Sequence, residues 1–263
     1  MQDFCNLMEV YVDAVFYPNI YSKEEIFRQE GWSYVLEKPE DEIIYNGVVY
    51  NEMKGAFSSP DDVLDREILN SLYPDTPYGI ESGGDPKNIP DLSYEEFLAF
   101  HKKYYHPSNS YIYLYGDMDM EERLSWLDLE YLSKFDADQV ESEITMQPAF
   151  AEVKELDKTY SISNMEEEED NTYLAYNWSV GDVLDADLSA AMSIVEYVLL
   201  EAPGAPLKQA LLDASVGKDI EGSYDSGVRQ PYFSVIAKNS NPEQKEQFVH
   251  IIRTVLQEQV EKG

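Results

Sequence analysis

The sequence predicts an α+β fold with mainly antiparallel sheets, and two observations support this prediction. Segments with apolar residues at helical spacing recur along the chain. Runs rich in β-branched and aromatic residues lie between some of them, most clearly in the second half. Strands mixed with long amphipathic helices in this way are typical of α+β architectures.

Helices dominate the predicted structure of the first half. Ser22 with Glu25 and Ser93 with Glu96 have the spacing of capping boxes, in which a serine side chain and a glutamate three positions later close the first helical turn. Pro60 suits the first turn of a further helix. The predicted helices are 4–15, 22–37 with an interruption near Gly31, 60–73, 94–105 and 120–135.

The composition of the sequence changes after the fourth predicted helix, 94–105. The run "SYIYLYGDM" (110–118) is predicted to be a strand. Residues 136–150 contain polar residues and a proline without a sustained period, so they are a candidate linker. Further strands are predicted at 151–163 and 172–180 and twice within 219–238, with helices around 188–199 and 248–256.

Composition limits the classes of function. The chain has 263 residues, of which 43% are hydrophobic, so it can bury a substantial core. Its net charge of −33 disfavours nucleic acid and anionic membranes as partners. Its single cysteine, Cys5, excludes an internal disulfide and favours a reducing compartment, so the cytoplasm is the expected location. The acidic run "MEEEED" (165–170) is predicted to be a solvated loop.

The stretch "DEIIYNGVVYNEMKGAF" (41–57) is compatible with two structures. Asn46 and Gly47 between two apolar triplets are a strong signal of a β-hairpin. The residues from Val48 to Phe57 also have a helical pattern, with Asn46 as the N-cap. From the residues alone, the two structures are about equally supported.

Glu52 has a different environment in each structure. In a helix it falls about 40° from Val48, on the apolar side, where it is the only charge. An ionised carboxylate in such a site costs several kcal/mol unless a cation or strong donors meet it, and either a metal ion or a structural salt bridge would do so. In the hairpin, Glu52 follows the end of a strand and has no role.

Two segments of the chain read "YNGVVYNEMKGAFSSPDDVL" and "YGIESGGDPKNIPDLSYEEFLAFHKKYYHPSNSYIYLYGDMD". They resemble the pitrilysin/insulinase family of zinc peptidases, the inverzincins, in its presequence-protease-like branch. The resemblance is nearly continuous over about the first 120 residues and rests on pattern alone from 140 onward. It implies that the glutamate of "NEMKG" lies on a helix and is the third zinc ligand. By that match, Glu52 is the zinc-binding carboxylate, and the helical structure is favoured.

The resemblance also implies machinery that this chain lacks. Family members carry the inverted motif H-x-x-E-H, whose histidines bind zinc and whose glutamate activates water. The histidines here are His101, His106 and His250, and none belongs to such a motif. His101 and His106 are about 140° apart around a helix, so they cannot hold one ion from a single face. We expect packing or capping roles for these two, and a surface or partly buried position for His250.

The resemblance therefore implies a middle fragment of a longer zinc metalloendopeptidase. Two pitrilysin-type (metallohydrolase-like) domains, each incomplete, are expected. Residues 1–135 would be the C-terminal part of the first, zinc-site domain, 136–150 a linker, and 151–263 part of a second, noncatalytic domain. Because zinc affinity comes from several preoriented ligands together, Glu52 alone should bind the ion weakly, and the segment by itself should be inactive.

The whole polypeptide is expected to degrade peptides or unfolded polypeptides with one zinc ion. Its expected partners are a peptide substrate and the missing N-terminal and C-terminal parts of the same polypeptide, with no nucleic acid and no membrane. A noncatalytic peptide-binding or scaffolding relative of the family is the alternative.

Overall fold

The computed structural model describes residues 2–262. The α-helices are α1 (Gln2–Phe16), α2 (Glu24–Glu30), α3 (Val48–Ala56), α4 (Pro60–Leu72), α5 (Tyr94–Tyr104), α6 (Met120–Glu130), α7 (Ala186–Glu196), α8 (Pro206–Asp213) and α9 (Lys245–Lys262). The strands are β1 (Ser33–Val35), β2 (Ile44–Asn46), β3 (Thr172–Ser179), β4 (Asp219–Asp225) and β5 (Tyr232–Ser240). Within residues 2–262, no helix combines the length and the apolarity needed to cross a bilayer. The predicted α+β class with antiparallel sheets is confirmed.

The chain divides into two compact units that are not continuous in sequence. Unit 1 comprises residues 1–55 and 83–143, and unit 2 comprises 56–82 and 144–263. Residues 136–150 contain no helix or strand, which is compatible with the predicted linker. The units nevertheless differ from the predicted domains, because 56–82 join the second half of the chain. The assignment of two incomplete peptidase-type domains stays a prediction.

Unit 1 is built around helices α1 and α6. Met8 and Phe16 of α1 pack with Leu127 of α6 and with Tyr131, which directly follows it. The accompanying sheet is small: β1 and β2 pair antiparallel over three residues, with Tyr34 opposite Tyr45. Such a short hairpin is marginal by itself, so it depends on packing with the rest of the unit for its stability.

The second predicted helix of unit 1 is partly wrong. The observed helix α2 ends at Glu30. Residues 33–35, which were predicted to continue the helix, form β1 because they pair with β2. The predicted capping box is also wrong: Lys23 occupies the N-cap position without a side-chain cap, and the Ser22 hydroxyl donates to the carbonyl of Asn19. The box formed by Ser93 and its glutamate is confirmed, with both hydrogen bonds present.

Unit 2 contains an antiparallel three-stranded sheet in the order β3-β5-β4. The central strand β5 is buried from Phe233 to Ala237, so both of its faces are covered. Helices α8 and α9 pack together and contribute to the main core. Side chains that are fully buried in this core are Leu200, Leu207, Leu211, Val216, Ile220, Phe233, Val235, Ala237 and Ile252.

The strands of this sheet confirm the predictions at 172–180 and within 219–238, whereas two other predicted strands are wrong. Residues 151–163 and 110–118 form no ladder in the part of the chain that the structure describes. A strand requires a hydrogen-bonded neighbour, and local composition cannot supply one. The acidic run 165–170 lies in turns and bends before β3 and is mostly exposed, as predicted.

Candidate functional site

Helix α3 begins directly after a strand, so each of the two sequence-based interpretations is correct in part. Residues 44–46 do form a strand, but they pair with β1 upstream and not with the residues after Gly47. The predicted hairpin across Asn46 and Gly47 is therefore wrong, and the helix that contains Glu52 is confirmed. Asn46 ends β2, so the N-cap position falls to Gly47 and not to Asn46.

Gly47 permits the abrupt change from strand to helix. Its φ is 154°, and a β-carbon at this position would lie 2.2 Å from the carbonyl oxygen of Gly31. The same carbonyl accepts a hydrogen bond of 3.3 Å from the N–H of Tyr50, in the first turn of α3. This close approach requires a residue without a side chain, and it sets the position of the helix against β1 and its preceding turn.

Only one edge of the side of α3 that was predicted to be buried contacts the rest of unit 1. Met53 packs on Gly83, where a β-carbon would lie 2.3 Å from the methionine sulfur. The ring of Tyr50 lies 5.9 Å from that of Tyr45. The side that carries Val48 and Glu52 is open, since Val48 is 50% exposed and Glu52 is also exposed.

Burial of Glu52 was expected, and within this chain that expectation is wrong. No cation or donor among residues 2–262 forms an ion pair or hydrogen bond with its carboxylate. The described residues also contain no group of three or more His, Cys, Asp or Glu side chains arranged to hold a metal ion. A catalytic zinc ion takes three protein ligands, so the residues described here do not by themselves fit zinc. The role of Glu52 as a ligand stays a prediction.

His101 and His106 have the packing and capping roles predicted for them. The Nδ1 atom of His101 lies 2.8 Å from the hydroxyl of Tyr21, and its ring stacks on Tyr105 at 4.4 Å. Burial lowers the pKa of His101. His106 accepts a hydrogen bond of 3.1 Å from the N–H of Ser108 and thereby caps a short 3₁₀ turn. The Nδ1 atoms of both histidines are therefore engaged in hydrogen bonds within unit 1.

His250 is exposed on α9, in agreement with the prediction of a surface or partly buried position. It belongs to unit 2, whereas the other two histidines and Glu52 belong to unit 1. The structure therefore assembles no histidine cluster within the residues it describes.

Unit 2 contains a cleft that sequence reasoning did not find. It has a volume of about 970 Å³ and is lined by α4, by residues between 154 and 177, which include part of β3, and by residues 241–243. Lys158 pairs with Glu67 at 2.9 Å in its wall, and the buried Oδ1 of Asn177 has no hydrogen-bond partner among the described residues. Its walls come from three distant parts of the sequence, so no local motif could have indicated it.

The sequence matches a known family model over more than half of its length. Residues 91–263 match the model described as the peptidase M16 inactive domain. This range includes the end of unit 1 and most of unit 2.

Two curated relatives align along the whole chain. Protein HypA of Clostridium perfringens is 49% identical over 262 residues, which are 100% of this chain and 27% of that protein. Presequence protease 1, chloroplastic/mitochondrial, of Arabidopsis thaliana is 38% identical over 266 residues, which are 100% of this chain and 24% of that protein. The chain thus spans about a quarter of the length of these relatives.

Solved structures support the fold at low sequence identity. A peptidase M16 inactive domain from Pseudomonas fluorescens superimposes with a TM-score of 0.52 and 20% identity, over 82% of this chain and 51% of that one. A protease from Helicobacter pylori gives a TM-score of 0.51 and 18% identity, over 79% of this chain and 50% of that one. Together with the family model and the full-length alignments, these likenesses establish that the chain belongs to the M16 peptidase family, with the presequence proteases among its relatives.

Proposed function

We propose that this chain is one segment of a zinc metalloendopeptidase that degrades peptides or unfolded polypeptides. Relatives that align along the whole chain are named presequence proteases, and each is about four times as long. In this proposal Glu52 is the third zinc ligand, and the histidine pair and the general base come from other parts of the same polypeptide. The segment alone is inactive.

The observation that carries this proposal is the open face of α3. Glu52 lies on that face with Val48 on one side and Ala56 one turn later, and all three are exposed. An exposed apolar surface that surrounds one carboxylate suits contact with another helix, since burial of the apolar groups would accompany coordination by the carboxylate. Gly47 and Met53 hold α3 in place on the opposite side, so the carboxylate is presented from a rigid element.

The division of the polypeptide follows from the same proposal. Residues 1–135 belong to the domain that forms the zinc site, 136–150 link it to the next, and 151–263 belong to a noncatalytic domain. The description of the matched family model as an inactive domain is compatible with this assignment for the second half. The net charge of −33 favours cationic peptides as substrates and disfavours nucleic acid and anionic membranes as partners. The single cysteine, Cys5, suits a reducing compartment, so the proposed location is the cytoplasm.

A noncatalytic peptide-binding or scaffolding relative is the second candidate. The observation that favours it concerns the potential metal ligands: among residues 2–262, no three His, Cys, Asp or Glu side chains are arranged to hold one metal ion. The genomic reading frame upstream of Met1 distinguishes the two candidates. An in-frame H-x-x-E-H motif supports the peptidase, whereas a true start at Met1 supports the binding protein.

The direct test uses the complete polypeptide and two matched variants. Glu52→Gln removes the proposed ligand, and Glu42→Gln removes an exposed carboxylate just before β2. We expect Glu52→Gln to weaken zinc binding at least about tenfold and to abolish chelator-sensitive peptide cleavage, because one of three ligands is lost. Glu42→Gln should change neither property. Full zinc content and activity in Glu52→Gln would refute the assignment.

A stability measurement separates this role from a structural one. In the 263-residue chain, Glu52→Gln should change the free energy of unfolding by less than about 0.5 kcal/mol, because the carboxylate is exposed and has no partner among the described residues. A larger loss in urea denaturation would show that Glu52 stabilises the fold.

A further inference from the structure

Residues 154–162 of unit 2, here called the strap, contain neither a turn nor a bend and form part of the wall of the cleft. Every even-numbered residue of the strap lines the cleft, and these are Lys154, Leu156, Lys158, Tyr160 and Ile162. Of the odd-numbered residues, Thr159 lines it as well, whereas the carboxylates of Glu155 and Asp157 lie 3.3 Å from the ammonium group of Lys245 on α9. The strap therefore alternates with the two-residue period of a β-strand.

The outer edge of β3, the edge away from β5, has unpaired backbone groups. The N–H of Val180 donates to the carbonyl of Pro231 at 2.7 Å, and the antiparallel register continues with Asn177 opposite Ser234. Hydrogen-bonded and non-bonded pairs alternate in such a ladder, so Ala175 and Asn177 direct their N–H and C=O groups away from β5. No backbone hydrogen bond joins these groups to another residue between 2 and 262. Both residues line the cleft.

Contacts at one end of the strap indicate the register in which it meets β3. The ring of Tyr160 lies 5.7 Å from the ring of Tyr173, edge to face, and the Tyr160 hydroxyl donates to the carbonyl of Asn171. Residues 163–171 connect the strap to β3 and contain two turns. A chain that reverses over so short a connection brings the two segments together antiparallel.

The register that starts from Tyr160 opposite Tyr173 places Lys158 opposite Ala175, and Leu156 opposite the next cleft-lining residue of β3. Partners that lie opposite each other in a sheet project on the same face, and the residues paired in this register all line the cleft. We propose that the strap closes onto β3 as a fourth strand of the sheet and thereby fills the cleft. Both partners belong to unit 2, so closure needs no other part of a longer polypeptide.

Closure would satisfy groups that are otherwise left to solvent. It supplies backbone partners for Ala175 and Asn177, and it covers Leu156, which is 54% exposed. The ion pair between Lys158 and Glu67 of α4, at 2.9 Å, lies on the cleft side of the strap and is compatible with both arrangements. The strap is thus a conformational device that controls access to the cleft.

Disulfide trapping in the 263-residue chain tests the register. In a Cys5→Ser background, Lys158→Cys with Ala175→Cys would place the two α-carbons about 5.5 Å apart in the closed arrangement, within the range of a disulfide. The matched control is Lys158→Cys with Asn177→Cys, a diagonal pair about 7–8 Å apart. Under mild oxidation, the first pair should form its intramolecular disulfide at least about ten times faster than the control. Equal rates, or no disulfide in the first pair, would overturn the proposal.

Amide hydrogen exchange tests the pairing without cysteines. The N–H groups of Ala175 and Asn177 should exchange at least about tenfold more slowly than in an unprotected chain, because the closed strap accepts from them. Lys158→Pro removes a donor that faces β3 and should abolish this protection. Thr159→Pro is the matched control, since its N–H would point away from β3 in the closed sheet, and it should retain the protection.

Two exchange results would contradict closure. One is exchange of Ala175 and Asn177 at the unprotected rate in the wild-type chain. The other is protection that is the same in the wild type and in Lys158→Pro, which would assign it to burial and not to pairing with the strap. Protection of the central strand β5 in each variant checks that the sheet is folded.

Discussion

The ammonium group of Lys238 on β5 lies 2.9 Å from the carboxylate of Asp61 in the first turn of α4. Glu221 on β4 lies 2.6 Å from the same ammonium. Burial opposes the charge of Lys238, but the hydrogen bonds to Glu221 and Asp61 and the attraction of both carboxylates outweigh it and raise its pKa. One cation thus joins the central strand, its neighbour and a helix that is distant in sequence.

Replacement of Lys238 by methionine should destabilise unit 2 by about 1–2 kcal/mol, because Asp61 and Glu221 would remain close together without a cation. Urea denaturation measures the loss, which should be smaller in high salt. Lys262→Met is the control, since Lys262 is 66% exposed and pairs only within its helix. A loss no greater than that of the control would show that the Lys238 pairs contribute little.

Tyr73→Phe tests a second connection, between 56–82 and the residues just before β5. The Tyr73 hydroxyl donates to the carbonyl of Gln230 at 2.5 Å, and the side chain is almost completely buried. Loss of the donor leaves a carbonyl poorly satisfied, so we expect a destabilisation of about 1–2 kcal/mol in urea denaturation. The same change at Tyr197, which is 57% exposed, should have almost no effect. Similar values for the two variants would argue against an anchoring role.

The two serine caps should differ in strength. Ser93 accepts from the N–H of Glu96 at 3.2 Å, and the Glu96 carboxylate accepts in return from the N–H of Ser93 at 2.9 Å. Ser59 accepts only a long bond of 3.4 Å, from the N–H of Asp62. We expect Ser93→Ala to cost about 1 kcal/mol and Ser59→Ala about half as much. Amide hydrogen exchange in the first turns of α5 and α4 would detect the difference, and the reverse order would contradict it.

The stability of unit 1 should depend on the protonation of His101. Burial lowers the pKa of His101, and a backbone hydrogen bond with Val15 only partly opposes that effect. The unfolded chain therefore binds the proton more readily, so stability decreases as the pH falls through the unfolded value of about 6.5. In His101→Gln, the decrease in unfolding free energy between about pH 7 and pH 5 should be smaller.

His250→Gln is the control for this pH dependence, because His250 is exposed. It should retain the wild-type decrease. If urea denaturation shows the same decrease in the wild type and in both variants, then other groups, such as carboxylates, cause the acid sensitivity.

Local signals in the sequence were sufficient for most helices. The capping box of α5 and the proline at the start of α4 are both present in the structure, because each depends on groups within one helical turn. The same kind of signal failed at Ser22, whose hydroxyl bonds backwards to Asn19 instead of capping α2. A residue pattern states which hydrogen bonds are possible, and competing partners decide which one forms.

Strands were harder to predict, because their stability comes from a neighbour. Residues 110–118 and 172–180 have similar β-rich composition, yet only the second range forms a ladder, since β5 lies beside it. The grouping of 56–82 with the second half likewise depends on contacts such as Tyr73 with Gln230, which are 157 positions apart. No window of the sequence contains such pairs.

The residues by themselves left 48–56 open between a helix and one arm of a hairpin, and the resemblance carried by "NEMKG" to a peptidase family favoured the helix, because both signals depend on short stretches of residues. Only the tertiary structure decided which face of α3 is covered and which is open. That choice depends on Gly31, Tyr45 and Gly83, which pack on one side of the helix, and it leaves Glu52 on the other. Helix formation is governed by hydrogen bonds four residues apart, whereas burial is governed by whatever distant surface the fold brings against the helix.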